Sequence, residues 1–108
     1  MAGISESAGE TVDFAYLERF AAGDRGVVDE VLTLFRQQAE RWTPGLADDA
    51  PGWREVVHTV KGAARGIGAF VLGDVCASVE EEGPAALPKA RQALAAAVAE
   101  IQAYQADA

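Results

Sequence analysis

A chain of 108 residues, half of them hydrophobic, is one domain by length and is able to bury roughly two thirds of its unfolded surface without staples. Its 17 acidic residues against 9 basic ones give a formal charge of -8, which opposes the phosphate backbone and excludes nucleic acid as an expected partner. No apolar run approaches the roughly 20 residues of a membrane span, and no basic segment followed by an apolar one opens the chain, so the expected location is the cytoplasm.

Alanine dominates the apolar residues, and Val and Ile nowhere alternate with polar residues over a long run. This composition predicts an all-α fold. After Met1, residues 2–10 are Gly, Ser, Ala and Glu with one Ile, too small and polar to pack, and residues 1–10 are expected to form a flexible tail ahead of a domain spanning 11–108. Thr11 or Asp13 caps a short helix carrying Phe14, Leu17 and Phe20, which Gly23 ends. Asp24 then caps a longer one, with Val27, Val28, Val31, Leu32, Phe35, Ala39, Trp42 and Leu46 at intervals of three or four. Pro44 interrupts that run, and because Leu46 stays in phase with Trp42 a kink is expected there rather than a stop.

The next break is Asp48 to Gly52, with Asp49 as a candidate cap and Pro51 suited to a first helical position. A third helix is expected from about Pro51 to Ile67, with Gly66 and Gly68 marking its end. A fourth covers about Ala69 to Glu82, burying Leu72, Val75, Cys76 and Val79, and is stopped by Gly83-Pro84. Cys76, the single cysteine, has no internal disulfide partner and reads as a small buried hydrophobe. The last helix, about Pro88 to Tyr104, buries Leu87, Ala90, Leu94, Ala97, Val98 and Ile101. Four sizeable amphipathic helices with short connections predict an antiparallel up-and-down four-helix bundle with the short N-terminal helix added.

The third helix carries the only histidine. At about 100° per residue, Trp53, Val56, Val57, Val60, Ala64 and Ile67 gather within about 60° of one direction, the core arc. His58 falls near 140° from Trp53, on the solvent side, together with Arg54, Lys61, Gly62 and Arg65. Three of the nine basic residues thus share one face of an acidic protein, a patch that attracts an anion. An interior glycine costs about 0.5 to 1 kcal/mol relative to alanine, so Gly62, far from the core arc and one turn from His58, points to a need for open access. An imidazole with an ordinary pKa of about 6.5 keeps a free lone pair at neutral pH and is able to attack phosphorus. Lys61 and Arg65 are placed to offset part of the phosphoryl charge.

The stretch His58, Lys61, Gly62, Ile67, Gly68 matches the pattern His-x-x-Lys-Gly-x-x-x-x-Ile/Leu-Gly and resembles the signature of histidine-containing phosphotransfer (HPt) domains. Gly23-Asp24, Phe35, Leu72, Cys76, Val79 and Glu80 extend the resemblance over nearly the whole chain from Asp13. It implies a four-helix bundle in which His58 accepts a phosphoryl group on Nε2 and exchanges it with the aspartate of response-regulator receiver domains in a two-component phosphorelay. It further implies that Lys61 holds the phosphoryl group and docks the partner, that Gly62 keeps the histidine accessible, and that Glu80 hydrogen-bonds the other ring nitrogen. Two departures stand out: Ala63 and Ala64 replace the hydroxyl residues that many members carry after the glycine, and Pro44 interrupts a helix that is often smooth.

Several further expectations follow from the residues and the resemblance together. The chain has no Gly-rich phosphate loop and Thr59 follows the histidine, unlike the acidic residue and proline of kinase dimerisation helices, so no ATP-dependent kinase activity of its own is expected. Its partners are expected to be receiver domains and a histidine kinase or hybrid kinase, and the protein itself a monomer. No cofactor or metal of its own is expected, the divalent metal belonging to the receiver. Phe70, off the core arc of its helix and beside the end of the His58 helix, is a candidate docking patch. The competing reading from another class is a helical interaction module that docks an acidic partner through Arg54, Lys61 and Arg65 without chemistry.

Overall fold

In the computed structural model the described residues are 11–107, and they form five α-helices and two 3₁₀ turns with no strand among them. The helices are α1 (Phe14–Phe20), α2 (Arg25–Trp42), α3 (Trp53–Ile67), α4 (Phe70–Glu82) and α5 (Leu87–Ala106), with 3₁₀ turns at Thr43–Leu46 and Pro84–Ala86. The expected tail over 1–10 lies outside the described residues.

One apolar core joins all five helices, with Leu17, Leu32, Leu46, Val57, Val60, Leu72, Val79, Leu87 and Ile101 almost wholly removed from water. No polar or charged side chain is buried among the described residues, so the core is held by burial and packing alone. Helix α3 packs most extensively on α4, α4 on α5, and α2 rests against α3 and α5. Every core residue expected on α3 is buried or half-buried. Val27 and Phe20 depart from expectation, at 42% and 77% exposed. Phe20 stands in the last turn of a helix too short to cover both its faces, and Val27 lies in the first turn of α2, beside the buried Val28.

Asp13 caps α1, its carboxylate accepting from the Tyr16 N–H at 3.1 Å, and Asp24 caps α2 through the Val27 N–H at 3.2 Å. Thr11, the other candidate cap, instead binds Glu100 of α5: its hydroxyl donates to Oε2 at 2.6 Å and its N–H to the same oxygen at 3.0 Å. Phe14 stacks on Tyr104 with ring centroids 4.1 Å apart, so α1 is strapped to the end of α5.

The α-helical part of α2 ends at Trp42, which corrects the expected kink. Pro44 lacks the N–H that would continue the ladder, and the chain tightens into a 3₁₀ turn that still buries Leu46 completely. The start of α3 also differs. Asp49 caps nothing and Pro51 lies in a turn before the helix; Gly52 at φ +76° is the N-cap, and its carbonyl accepts from the Glu55 and Val56 N–H groups at 3.1 and 3.3 Å. The left-handed backbone at Gly52, cheap only for glycine, starts the helix two residues later than periodicity indicated. Helix α5 begins one residue earlier and ends two residues later than expected, with Pro88 in its first turn.

Gly66 lies inside α3, and Gly68 terminates it at φ +92°. A Cβ at Gly68 would meet the Asp13 carbonyl oxygen at 2.6 Å, while the Asp13 N–H donates to the Gly68 carbonyl at 2.8 Å. The last residue of the histidine motif is therefore the point where the α1 strap closes on the site helix.

Candidate functional site

His58 projects from the middle of α3 into solvent, its side chain 72% exposed, because its helical phase places it opposite Val57, Val60 and Ala64, which are buried in the core. Its ring is nevertheless oriented. Nδ1 lies 3.0 Å from Glu80 Oε2, and Glu80 Oε1 accepts from Lys61 Nζ at 2.6 Å. One carboxylate on α4 thus holds two side chains of α3 one turn apart. The Lys61 hydrogen bond is the largest influence holding the Glu80 carboxyl below the ordinary carboxylate range; the His58 contact acts in the same direction and partial burial opposes both.

Arg54, one turn before the histidine, donates from Nη1 to the Glu80 main-chain carbonyl at 2.8 Å, and its guanidinium lies 4.5 Å over the Trp53 ring. Arg54, Glu55, His58, Thr59 and Glu80 line an open hollow of about 450 Å³ beside the imidazole. On the other side of His58, a Cβ at Gly62 would meet nothing within 4 Å, so the surface there is unobstructed.

The structure therefore brings His58, Glu80, Lys61, Arg54 and Gly62 together. Arg65 and Phe70 lie elsewhere. Arg65 reaches across to α4, where Nη2 is 3.6 Å from Asp74 Oδ1 and its side chain lies so close over Gly73 that a Cβ there would be 2.8 Å from Arg65 Cγ. Phe70, 39% exposed, meets Tyr16 edge-on at 5.1 Å, and Tyr16 stacks on Phe20, an aromatic group at the far end of α3. Sequence reasoning did not include Glu55, Thr59 and the Trp53 ring in the site. The first two stand three residues before and one after the histidine, so sequence position alone points to them, whereas the helical phase of Trp53 points only to the core.

Cys76 is buried on α4, its thiol pushed up to about 11 first by burial and then by the negative charge of Glu80, so it adds no nucleophile to the site. Among the described residues no three His, Cys, Asp or Glu side chains gather as a metal site, and no helix is long and apolar enough to cross a membrane.

The sequence pattern of the Hpt domain family matches residues 27–104, well over half of the chain. The chain belongs to the Hpt domain family. A solved relative of this Hpt domain is the histidine phosphotransferase ShpA of Caulobacter crescentus, whose crystal structure superposes with a TM-score of 0.83 at 59% sequence identity. The match covers 90% of this chain and 92% of that one. No curated protein matches this Hpt domain. The matched span contains α3, α4 and the whole histidine-centred cluster, so the family membership and the geometry bear on the same residues.

Proposed function

We propose that this Hpt domain is a phosphorelay intermediate that exchanges a phosphoryl group between His58 and the aspartate of response-regulator receiver domains. The observation that carries the reading is an imidazole 72% exposed whose Nδ1 is already engaged by Glu80. With the Nδ1 proton donated to that carboxylate, the lone pair resides on Nε2, the outward nitrogen. Nε2 attacks the phosphorus of an aspartyl phosphate, an N–P bond forms as the acyl O–P bond breaks, and the receiver's aspartate leaves as a carboxylate. The reverse transfer retraces these steps.

Lys61 acts in this reading by fixing Glu80, and through it the ring. Gly62 leaves room for the partner's loops, and Phe70 with Tyr16 offers an apolar contact beyond the site. The four long helices α2 to α5 serve as an antiparallel up-and-down bundle and α1 as its strap, within one domain from residue 11 onward. The protein works as a cytoplasmic monomer fed by a histidine kinase or hybrid kinase. It has no ATP-dependent kinase activity or cofactor of its own, and the divalent metal that assists at the aspartate belongs to the receiver.

Incubation with a ³²P-phosphorylated receiver moves acid-labile label onto the wild-type protein and none onto His58→Gln. Equal labelling of His58→Gln contradicts the proposal. Tight binding of the receiver by both proteins without any transfer favours a non-catalytic docking module instead.

A further inference from the structure

Building on the relay reading, we infer that Arg54 is the residue that binds the phosphoryl group on His58, in preference to Lys61 and Arg65. A phosphoryl group on Nε2 introduces close to two negative charges and three strong acceptor oxygens at the solvent side of the ring. Three basic side chains share that face of α3 by helical phase, and the structure separates them.

Lys61 is committed. Its Nζ sits 2.6 Å from Glu80 Oε1, on the Nδ1 side of the imidazole, and its side chain is only 20% exposed. Turning it to the phosphoryl group breaks the pair that holds Glu80, and with it the contact that orients the ring. Arg65 is drawn away toward Asp74 and packed over Gly73. Neither residue lines the hollow beside His58.

Arg54 does line it, and it is the only cation in that lining. The guanidinium is pre-positioned from two sides, by the Glu80 carbonyl at 2.8 Å and the Trp53 ring at 4.5 Å. The carbonyl takes one of its five N–H donors, which leaves a fork whose planar geometry suits phosphoryl oxygens. Glu55 and Glu80, both acidic, line the same hollow, and Lys61 offsets the charge of Glu80 but not that of Glu55. A cation there favours an incoming phosphoryl group over the acidic lining, and Arg54, one helical turn before His58 on α3, supplies it. The Arg54–Glu80 contact also links this cation to the residue that orients the ring, so binding and orientation share one carboxylate-bearing residue on α4.

The test phosphorylates the whole protein with phosphoramidate, a small donor whose P–N bond breaks to release ammonia as the His58 N–P bond forms, so that no receiver surface is involved. ³¹P NMR then follows the phosphohistidine signal against pH in wild type, Arg54→Gln, Arg54→Lys and Lys61→Gln. A neighbouring guanidinium favours the dianion, so Arg54→Gln raises the pKa of the bound phosphoryl group by about a few tenths of a unit, the size of an exposed charge pair. Arg54→Lys restores most of the wild-type value, and Lys61→Gln moves it less than Arg54→Gln does. In transfer from a phosphorylated receiver, Arg54→Gln lowers kcat about tenfold at nearly unchanged KM, the scale of one charge-assisted hydrogen bond. An unshifted titration in Arg54→Gln, a larger shift in Lys61→Gln, or a rise in KM alone overturns the inference, the last making Arg54 a docking contact only. A wild-type protein that takes label from neither phosphoramidate nor a receiver overturns the relay reading itself and this inference with it.

Discussion

Glu80 is the residue on which the geometry of the site turns, since its two carboxylate oxygens hold His58 and Lys61 while its carbonyl holds Arg54. Its depressed pKa links site order to pH. The charged pair is fully formed above the ordinary carboxylate value of about 4.3 and is lost as pH falls through the lower folded value. Melting curves from pH 7 down to pH 3 therefore lose more stability in wild type than in Glu80→Gln, which has no carboxylate to protonate; identical pH profiles rule the pair out as a contributor. Glu80→Ala leaves the ring without its acceptor and slows transfer roughly tenfold, whereas Glu80→Gln keeps an acceptor for Nδ1 and recovers most of the rate. At this scale the sequence was informative about phase and silent about reach. Helical periodicity placed His58, Lys61 and Arg54 on the solvent side, but the same periodicity put Arg65 beside them, because it cannot say that a long side chain folds over Gly73 toward Asp74. The partnership of Glu80 with His58 came from the family resemblance, since a contact between residues 22 apart in sequence is set by how α3 meets α4.

At the level of the helix, α3 is built from two glycines that do opposite things. Gly62 sits in open space with helical backbone, so Gly62→Ala adds helix propensity without a clash and stabilises the protein by about 0.5 to 1 kcal/mol in urea unfolding. In the proposed relay the same methyl group narrows the face open to a receiver, and transfer slows as stability rises. Gly68 terminates the helix in the left-handed region with the Asp13 carbonyl pressed against it. Gly68→Ala costs at least about 1 to 2 kcal/mol for the backbone conformation alone, and the clash adds the release of α1, visible as faster amide exchange over residues 14–20. A Gly68→Ala protein as stable as wild type, with α1 equally protected, contradicts this account of the strap. The existence of all five helices was legible in apolar spacing and caps, and their ends were less so. Pro44 and Gly52 set those ends through a 3₁₀ turn and a positive φ, both backbone choices that leave no mark in hydrophobic periodicity.

For the molecule as a whole, the all-α class followed from composition, because a chain rich in alanine and poor in alternating β-branched residues offers helices little competition. Because no polar or charged side chain is buried among the described residues, the apolar core carries most of the stability, and the site on the solvent face adds only the smaller contribution of the Glu80 contacts. That distribution allows His58, Arg54 and Gly62 to be altered with the fold retained, so far-UV circular dichroism of these variants overlays that of wild type. In the proposed relay an oriented, exposed imidazole accepts the phosphoryl group on the nitrogen that Glu80 leaves free. The most direct measurement is long-range ¹H–¹⁵N NMR of the ¹⁵N-labelled protein after transfer from a phosphorylated receiver. Phosphorus coupling is expected at Nε2 of His58 with Nδ1 still protonated and bonded to Glu80; phosphorylation at Nδ1, or a receiver that loses its phosphoryl group without modifying His58, overturns the relay through Nε2.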